Sequence, residues 1–371
     1  MPPVIVVCVD GLDIAYLDAA PTPTLDAIKR SALGPGHPSF FRMGRGMLPS
    51  VTNVNMTSIL TGCYPEGHGI VSNYWLDRGT GEEVYMEHAS YLLAPTLMRR
   101  VAQKGGRSAL LVAKDKLRSL LDDGATFATS SERPTSWAVE DAGPPPSIYS
   151  AEVNLWLLDA ALALLRRERV DLCAVITTDY PMHAWPPDDP RAVAYIQGLD
   201  QRIGALLDAF PSATLLLTAD HGMGAKTVGV DLGKLLARRG ISGAALPIIK
   251  DRYVVHHQNL GGSAYIYLEH PEDRERALDA LAQCPHVEMA LPREEASRRF
   301  RLHLQRMGDI LVVADREAVF GLLNEEVERV QVRSHGSLHE TFVPLLAYNT
   351  PGFSAQENRQ VGEWVAQHLG L

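Results

Sequence analysis

Val4-Ile-Val-Val-Cys-Val9-Asp10-Gly11 is an unbroken apolar run that stops at an acid. Most of its apolar residues are β-branched. A run without polar alternation suits a strand covered on both faces, as in a parallel sheet. Open α/β sheets place their sites beyond the carboxyl ends of such strands. Asp10 stands at that end. Taken alone, an Asp before Gly also suits an ordinary turn.

The pattern recurs three times further on. Residues 108–113 lead into Lys114-Asp115-Lys116, residues 170–177 into Thr178-Asp179-Tyr-Pro-Met-His183, and residues 213–218 into Ala219-Asp220-His221-Gly222. Helices are predicted over 96–104, 150–168 and 188–208. In the second of these, Leu155, Leu158, Ala161, Leu162 and Leu165 recur at helical spacing. Strands that alternate with helices imply an α/β fold, an α/β/α sandwich with a mostly parallel central sheet. Two lysines past a strand suit either an anion clamp or a solvated charge cluster. Asp179 and His183, four apart after a strand, suggest metal ligands. Adjacent Asp220 and His221 on a Gly-rich turn can aim at one ion.

Between the first two strands lies Leu48-Pro-Ser-Val-Thr52-Asn-Val-Asn-Met-Thr-Ser-Ile-Leu-Thr-Gly62. A short helix is expected over 54–60, with Gly62 as its stop and Thr52 at its entrance. A hydroxyl there is an ordinary N-cap, or it lies beside free amides at the positive end of the helix, where a phosphate-like anion binds. Another helix is expected over 21–31, and loops over 33–46 and 122–146. His68, between two glycines, reads as a turn-packing residue.

Beyond Gly243 the pattern changes. Residues 253–256, 264–268 and 309–314 are strand-like, 271–283 is helical, and 293–300 is charged and exposed. Residues 342–347 form a last strand and 355–369 a closing helix. The expected division is a core of 1–243 with 331–371, and an inserted smaller α+β cap lobe of 244–330. His256-His257 falls in that lobe and reads as surface or rim.

The totals exclude several classes. The chain has 371 residues, 46% hydrophobic and 21% charged, which is a globular balance. A net charge of −9 argues against general nucleic-acid binding. Cys8, Cys63, Cys173 and Cys284 include no CxxC pair, so a cysteine zinc site is not expected. No apolar run reaches the roughly 18 residues of a membrane span, and the first residues lack a basic leader. A cytoplasmic location is expected.

Three strand ends thus carry Asp10, Asp179 with His183, and Asp220 with His221, and the chain returns from the insertion to Ser334-His335-Gly336. Together with Thr52 these seven groups suffice for two divalent ions. His339, four residues on, competes with His335. The motifs Val-Asp10-Gly, Pro-Ser-Val-Thr52-Asn, Thr-Asp179-Tyr-Pro-Met-His183, Ala-Asp220-His221-Gly-Met and Ser-His335-Gly resemble the alkaline phosphatase superfamily. Within it they match the nucleotide pyrophosphatase/phosphodiesterase branch. That resemblance implies an alkaline-phosphatase-like core, two zinc ions and a Thr52 nucleophile. Asp179, His183 and His335 would hold one zinc; Asp10, Thr52, Asp220 and His221 would hold the other.

A narrower resemblance rests on Ser-Asn73-Tyr-Trp-Leu-Asp, Ala-Lys114-Asp-Lys116-Leu-Arg and Arg-Ser-His335-Gly-Ser-Leu. These look like the phosphonoacetate hydrolase family. It implies that Asn73 contacts a phosphonate oxygen and that Lys114 and Lys116 stand near the substrate carboxylate. The implied reaction cleaves the carbon–phosphorus bond of phosphonoacetate through a phospho-threonine. The expected partner is a small-molecule phosphonate, with no nucleic acid or membrane; a homodimer is compatible with the sequence. The alternative is a phosphodiesterase on the same two-metal core, with Tyr74, Trp75 and Tyr180 lining a larger pocket. A non-enzymatic anion-binding module has no need of Thr52. Cap lobes in this superfamily shape substrate choice, and the sequence leaves open whether Arg252 and Tyr253 reach the pocket.

Overall fold

The computed structural model describes residues 2–30, 38–250 and 252–371. The four apolar runs form neighbouring strands of a seven-stranded sheet. Its order is Ser39–Arg45, Phe342–Tyr348, Thr214–Thr218, Val4–Cys8, Leu172–Ile176, Ser108–Val112 and Phe127–Ser130. The last five are mutually parallel, and Phe342–Tyr348 runs antiparallel to both of its neighbours. Every residue of Val4–Cys8, Ser108–Val112, Leu172–Ile176 and Thr214–Thr218 is buried. This is why those runs show no polar alternation.

Alternate residues of the first strand serve different layers. Val4, Val6 and Cys8 pack with the helices Thr52–Thr61, Leu97–Gln103, Asp115–Leu121 and Arg359–His368. Ile5 and Val7 pack with Ile14–Ala19, Pro23–Lys29, Glu152–Arg167 and Pro190–Ala209. The result is the alkaline-phosphatase-like α/β/α sandwich.

A second, antiparallel sheet follows the order Gly243–Pro247, Ser263–Leu268, Ile310–Ala314 and Val287–Pro292. One face presents Tyr265, Tyr267, Leu311 and Val313 to the same apolar core as Val4 and Val6. The other presents Ala264, Ile266, Ile310 and Val312 to a core of its own. That core includes Leu232, Leu235 and Leu236 of the helix Leu232–Arg238, which lies upstream of residue 243. Gly224–Val230, Ala318–Phe320 and Val327–Ser334 make a three-stranded sheet beside it.

Three segments differ from expectation. Ser39–Arg45, expected as loop, is an edge strand paired with Phe342–Tyr348. Its half-exposed position spares it an apolar alternation, and Phe40 meets Phe353 edge-on at 5.0 Å. The expected loop also covered residues 33–37, which lie outside the described residues. Phe127–Ser130 and Ser136–Ala142 form a strand and a helix within the other expected loop. Residues 253–256, read as strand-like, instead lead into the helical turn Val254–His257, closed by Gln258 in the left-handed region. Val254 and Val255 are exposed there, so their β propensity finds no sheet to join.

Candidate active site

The carboxyl ends of four adjacent strands deliver Asp220 and His221, Asp10, Asp179, and Lys114 to one edge of the main sheet. Neighbouring ends hold one another. The Asp10 amide donates to Thr177 Oγ1 at 2.9 Å, and the Gly11 amide to Asp220 Oδ1 at 3.1 Å. Gly11 has φ +75°, and a Cβ there would press on Asp179 and Met182 at 3.3 Å. A side chain at Gly11 would therefore push two strand ends apart. Asn154, buried on the helix Glu152–Arg167, clamps the next end. Its Oδ1 accepts from the Thr178 amide at 2.8 Å and its Nδ2 donates to the Thr178 carbonyl at 2.9 Å. Asp179 then opens the helix Tyr180–Ala184 and carries His183 one turn later.

The three histidines face the cluster through the same ring nitrogen. Nδ1 of His183 lies 2.6 Å from the Arg333 carbonyl, that of His221 2.9 Å from the Gly222 carbonyl, and that of His335 2.8 Å from the Ser50 carbonyl. A carbonyl only accepts, so each Nδ1 carries the proton and each Nε2 keeps its lone pair. His183 Nε2 lies 3.0 Å from Asp179 Oδ2, and His335 Nε2 is 3.7 Å from the same oxygen. His221 Nε2 lies 3.1 Å from Asp220 Oδ2 and 3.5 Å from Asp10 Oδ1. The His221 and His335 rings stack at 3.5 Å. Burial pushes both imidazoles down to about 4, with the neighbouring His221 adding to the effect at His335.

The acids respond in the opposite sense. Burial, then the charges of Asp179 and Asp220, raise Asp10 well above the ordinary carboxylate range. Burial raises Asp220 to about 6. Both oxygens of Asp10 and Oδ2 of Asp220 are buried without a hydrogen-bond partner. Orphaned buried acceptors and crowded carboxylates are costly unless a cation joins them. Two groups, Asp10 with Asp220 and His221, and Asp179 with His221 and His335, each bring their ligand atoms within 4.8 Å of one another. Imidazole nitrogen and carboxylate oxygen together suit a divalent transition-type ion. His221 belongs to both groups, so the two positions adjoin.

Thr52 is the first residue of the helix Thr52–Thr61, whose N-cap is Val51 rather than Thr52. The expected cap bond is absent, and Thr52 Oγ1 points instead to His221 Nε2 at 3.4 Å. The first amides of this ten-residue helix have no side-chain cap, so its positive end faces the cluster. Asn73 is buried with Oδ1 unpartnered. Its carbonyl accepts from Met86, whose own carbonyl accepts from Asn53 Nδ2, both at 2.9 Å. Asn73 is thereby tied to the residue after Thr52.

Lys114 and Lys116 are buried, which removes the solvated-cluster reading. Lys114 Nζ donates to Asp179 Oδ1 at 2.8 Å. Both ammonium groups lie 5.4 Å from the centre of the Tyr253 ring. His339 is apart from the cluster, 2.6 Å from Glu288. His257, expected at the rim, is buried with its ring 6.2 Å from that of His183; the His256 side chain lies outside the described groups. Tyr74 stacks on Tyr85, and Tyr180 packs edge-on to Trp185. Sequence reasoning passed over Asn154 and Ser50. An isolated Asn on an otherwise apolar helix face was the available sign of the first.

A sequence model of the family described as type I phosphodiesterase / nucleotide pyrophosphatase matches residues 4–338. The chain belongs to that family. Over 99% of its length it resembles the crystal structure of phosphonoacetate hydrolase from Sinorhizobium meliloti 1021 in complex with phosphonoacetate. The two are 34% identical, the TM-score is 0.87, and 96% of that chain is covered. Murine ectonucleotide pyrophosphatase / phosphodiesterase 5 shares the fold at 18% identity and a TM-score of 0.72, covering all of this chain and 96% of that one. The venom phosphodiesterase of Naja atra is 25% identical over 232 residues, 60% of this chain and 26% of that protein. The chain thus spans about a quarter of the length of the curated venom relatives it matches.

Proposed function

We propose that this protein hydrolyses the carbon–phosphorus bond of phosphonoacetate to acetate and phosphate. The observation that carries the reading is the buried Lys114–Lys116 pair beside the Asp179 cluster. A simple alkyl or aryl leaving group has no standing anionic charge for two buried ammoniums to meet. The carboxylate of phosphonoacetate does, and whole-length likeness to a protein named for that substrate supports the choice.

Thr52 Oγ attacks phosphorus, forming an O–P bond as the C–P bond breaks; its proton goes to solvent water, which also supplies the proton that the leaving carbon takes up. The carbon electron pair spreads into the adjacent carboxylate, and the lysines stabilise charge that grows only in the transition state. The carbon takes up a proton and acetate leaves; water then hydrolyses the phospho-threonine. The positive end of the helix Thr52–Thr61 and the Asn73 amide hold the phosphonate oxygens throughout. Asp179, His183 and His335 would hold one zinc ion, and Asp10, Thr52, Asp220 and His221 a second. Two such ions would supply Lewis-acid stabilisation at phosphorus.

In the same reading, residues 1–243 with 331–371 carry the chemistry and 244–330 form the lobe that shapes the pocket. Packing of Leu232–Arg238 under the four-stranded sheet supports a lobe that begins nearer residue 230. Four free cysteines suit a reducing cytoplasm. Among the described residues no helix is long and apolar enough to cross a membrane.

The test supplies phosphonoacetate and, separately, an aryl phosphodiester to zinc-loaded protein. Phosphate from the first with little turnover of the second is expected. The reverse favours a phosphodiesterase, the activity for which the venom relatives are named. A Thr52→Ala variant should keep its zinc and lose turnover; unchanged turnover would sink the nucleophile assignment.

A further inference from the structure

Three neighbouring residues of the lobe reach across to the main domain. Lys250 pairs with Glu83 and lies 5.3 Å from the Tyr74 ring, next to Asn73. Tyr253 is buried with its ring over Lys114 and Lys116, each at cation–π distance. Its hydroxyl donates to Glu132 Oε2 at 2.6 Å and accepts from Arg252 Nη2 at 2.7 Å. Glu132 Oε2 also accepts from the Asp115 amide at 2.7 Å, between the two lysines in sequence. The phenol is therefore pinned to the same turn that carries the ammoniums, and the ring is held over them rather than free to swing.

We propose that Tyr253 is the specificity-determining residue of this site, a roof that limits the leaving group to a short carboxylate. The proposal rests on the phosphonoacetate reading for what the lysines meet. In that reading the carboxylate one carbon from phosphorus lies at the two ammoniums, on the side that the ring covers. An aryl or nucleoside leaving group must displace the ring, and with it the contacts to Glu132, Arg252 and both lysines. A small, buried cationic niche closed by an aromatic face rejects such groups by bulk as well as by charge.

The experiment compares kcat/KM for phosphonoacetate and for bis(p-nitrophenyl) phosphate in zinc-loaded wild type, Tyr253→Phe and Tyr253→Ala. Zinc content and thermal midpoint are measured for each. Tyr253→Ala should shift the ratio toward the diester by about 10-fold or more, because the aromatic volume is gone. Tyr253→Phe keeps the ring and should hold the ratio within about 3-fold of wild type. A ratio unchanged in Tyr253→Ala, including an equal loss on both substrates, overturns the roof. Wild type that fails to cleave phosphonoacetate overturns the proposed function instead. The diester rate of Tyr253→Ala against wild type still reads the roof in that case.

Discussion

At the scale of single residues, the two lysines have different neighbours and should fail differently. Lys114 is bonded to Asp179, so it neutralises a carboxylate of the cluster. Removing it leaves a buried acid without its cation. Lys116 lies at cation–π distance from the Tyr253 ring, 5.4 Å from its centre. Lys116→Ala should lower kcat/KM for phosphonoacetate by roughly 10- to 100-fold, the scale of one charge-assisted contact, with metal content intact. Lys114→Ala should lower activity and also weaken metal retention. Paired kinetics and metal analysis separate the two; full phosphonoacetate activity in both variants would remove the carboxylate clamp. Most of the residues named from the sequence as site groups meet at one edge. They were legible because a strand end followed by an acid is a local pattern. Tyr253 over the lysines, and Asn154 on Thr178, were not, since both are contacts across distant sequence.

At the scale of elements, the helix Thr52–Thr61 is fixed at its C-terminal end by groups that play no chemical part. Its exit turns at Gly62, φ +73°, and Gly362 of the closing helix packs so near that a Cβ would lie 1.9 Å from the Ile59 carbonyl. His68 sits below, buried, with Nε2 2.8 Å from Ser58 Oγ and Nδ1 accepting from the Ile70 amide. Burial, then the Arg306 charge, pushes His68 down to about 3. The unfolded chain binds a proton near 6.5 that the folded chain refuses. The neutral ring therefore contributes stability that is complete above about 6.5 and lost as pH falls toward 3. In His68→Asn, denaturant melts across that window should show a shallower pH slope than wild type. An identical slope would mean His68 takes no part. The short helix was legible from Pro49, Thr52 and Gly62. The register of its first turn was not, because Val51 caps it by backbone alone. Ser39–Arg45 escaped notice for a related reason: an edge strand is identified by its partner, not by its own alternation.

At the scale of the whole molecule, the fold class followed from four apolar runs between helices, and the connections across the lobe did not. The strands Val287–Pro292 and Val327–Ser334 are mixed in polarity and half exposed, so their pairing depends on neighbours far along the chain. The sheet that the first of them edges has a mechanical result. The four-stranded sheet gives one face to the core that also holds Val4, Val54 and Val112. Urea unfolding followed by tryptophan fluorescence and by far-ultraviolet circular dichroism should therefore trace one coincident transition. A separate early step would show that the sheet opens alone.

The same shared face bears on how the substrate preference of such a protein can be altered. Tyr265, Tyr267, Leu311 and Val313 are wall for the main core as much as filling for the lobe. Exchanging the lobe wholesale with that of a relative would strip or crowd that wall, so grafts must carry both surfaces together. Substitution within the short crossing at Lys250, Arg252 and Tyr253 leaves the wall intact. Single substitutions at the proposed roof are accordingly the changes that test a new leaving group without disturbing the shared wall.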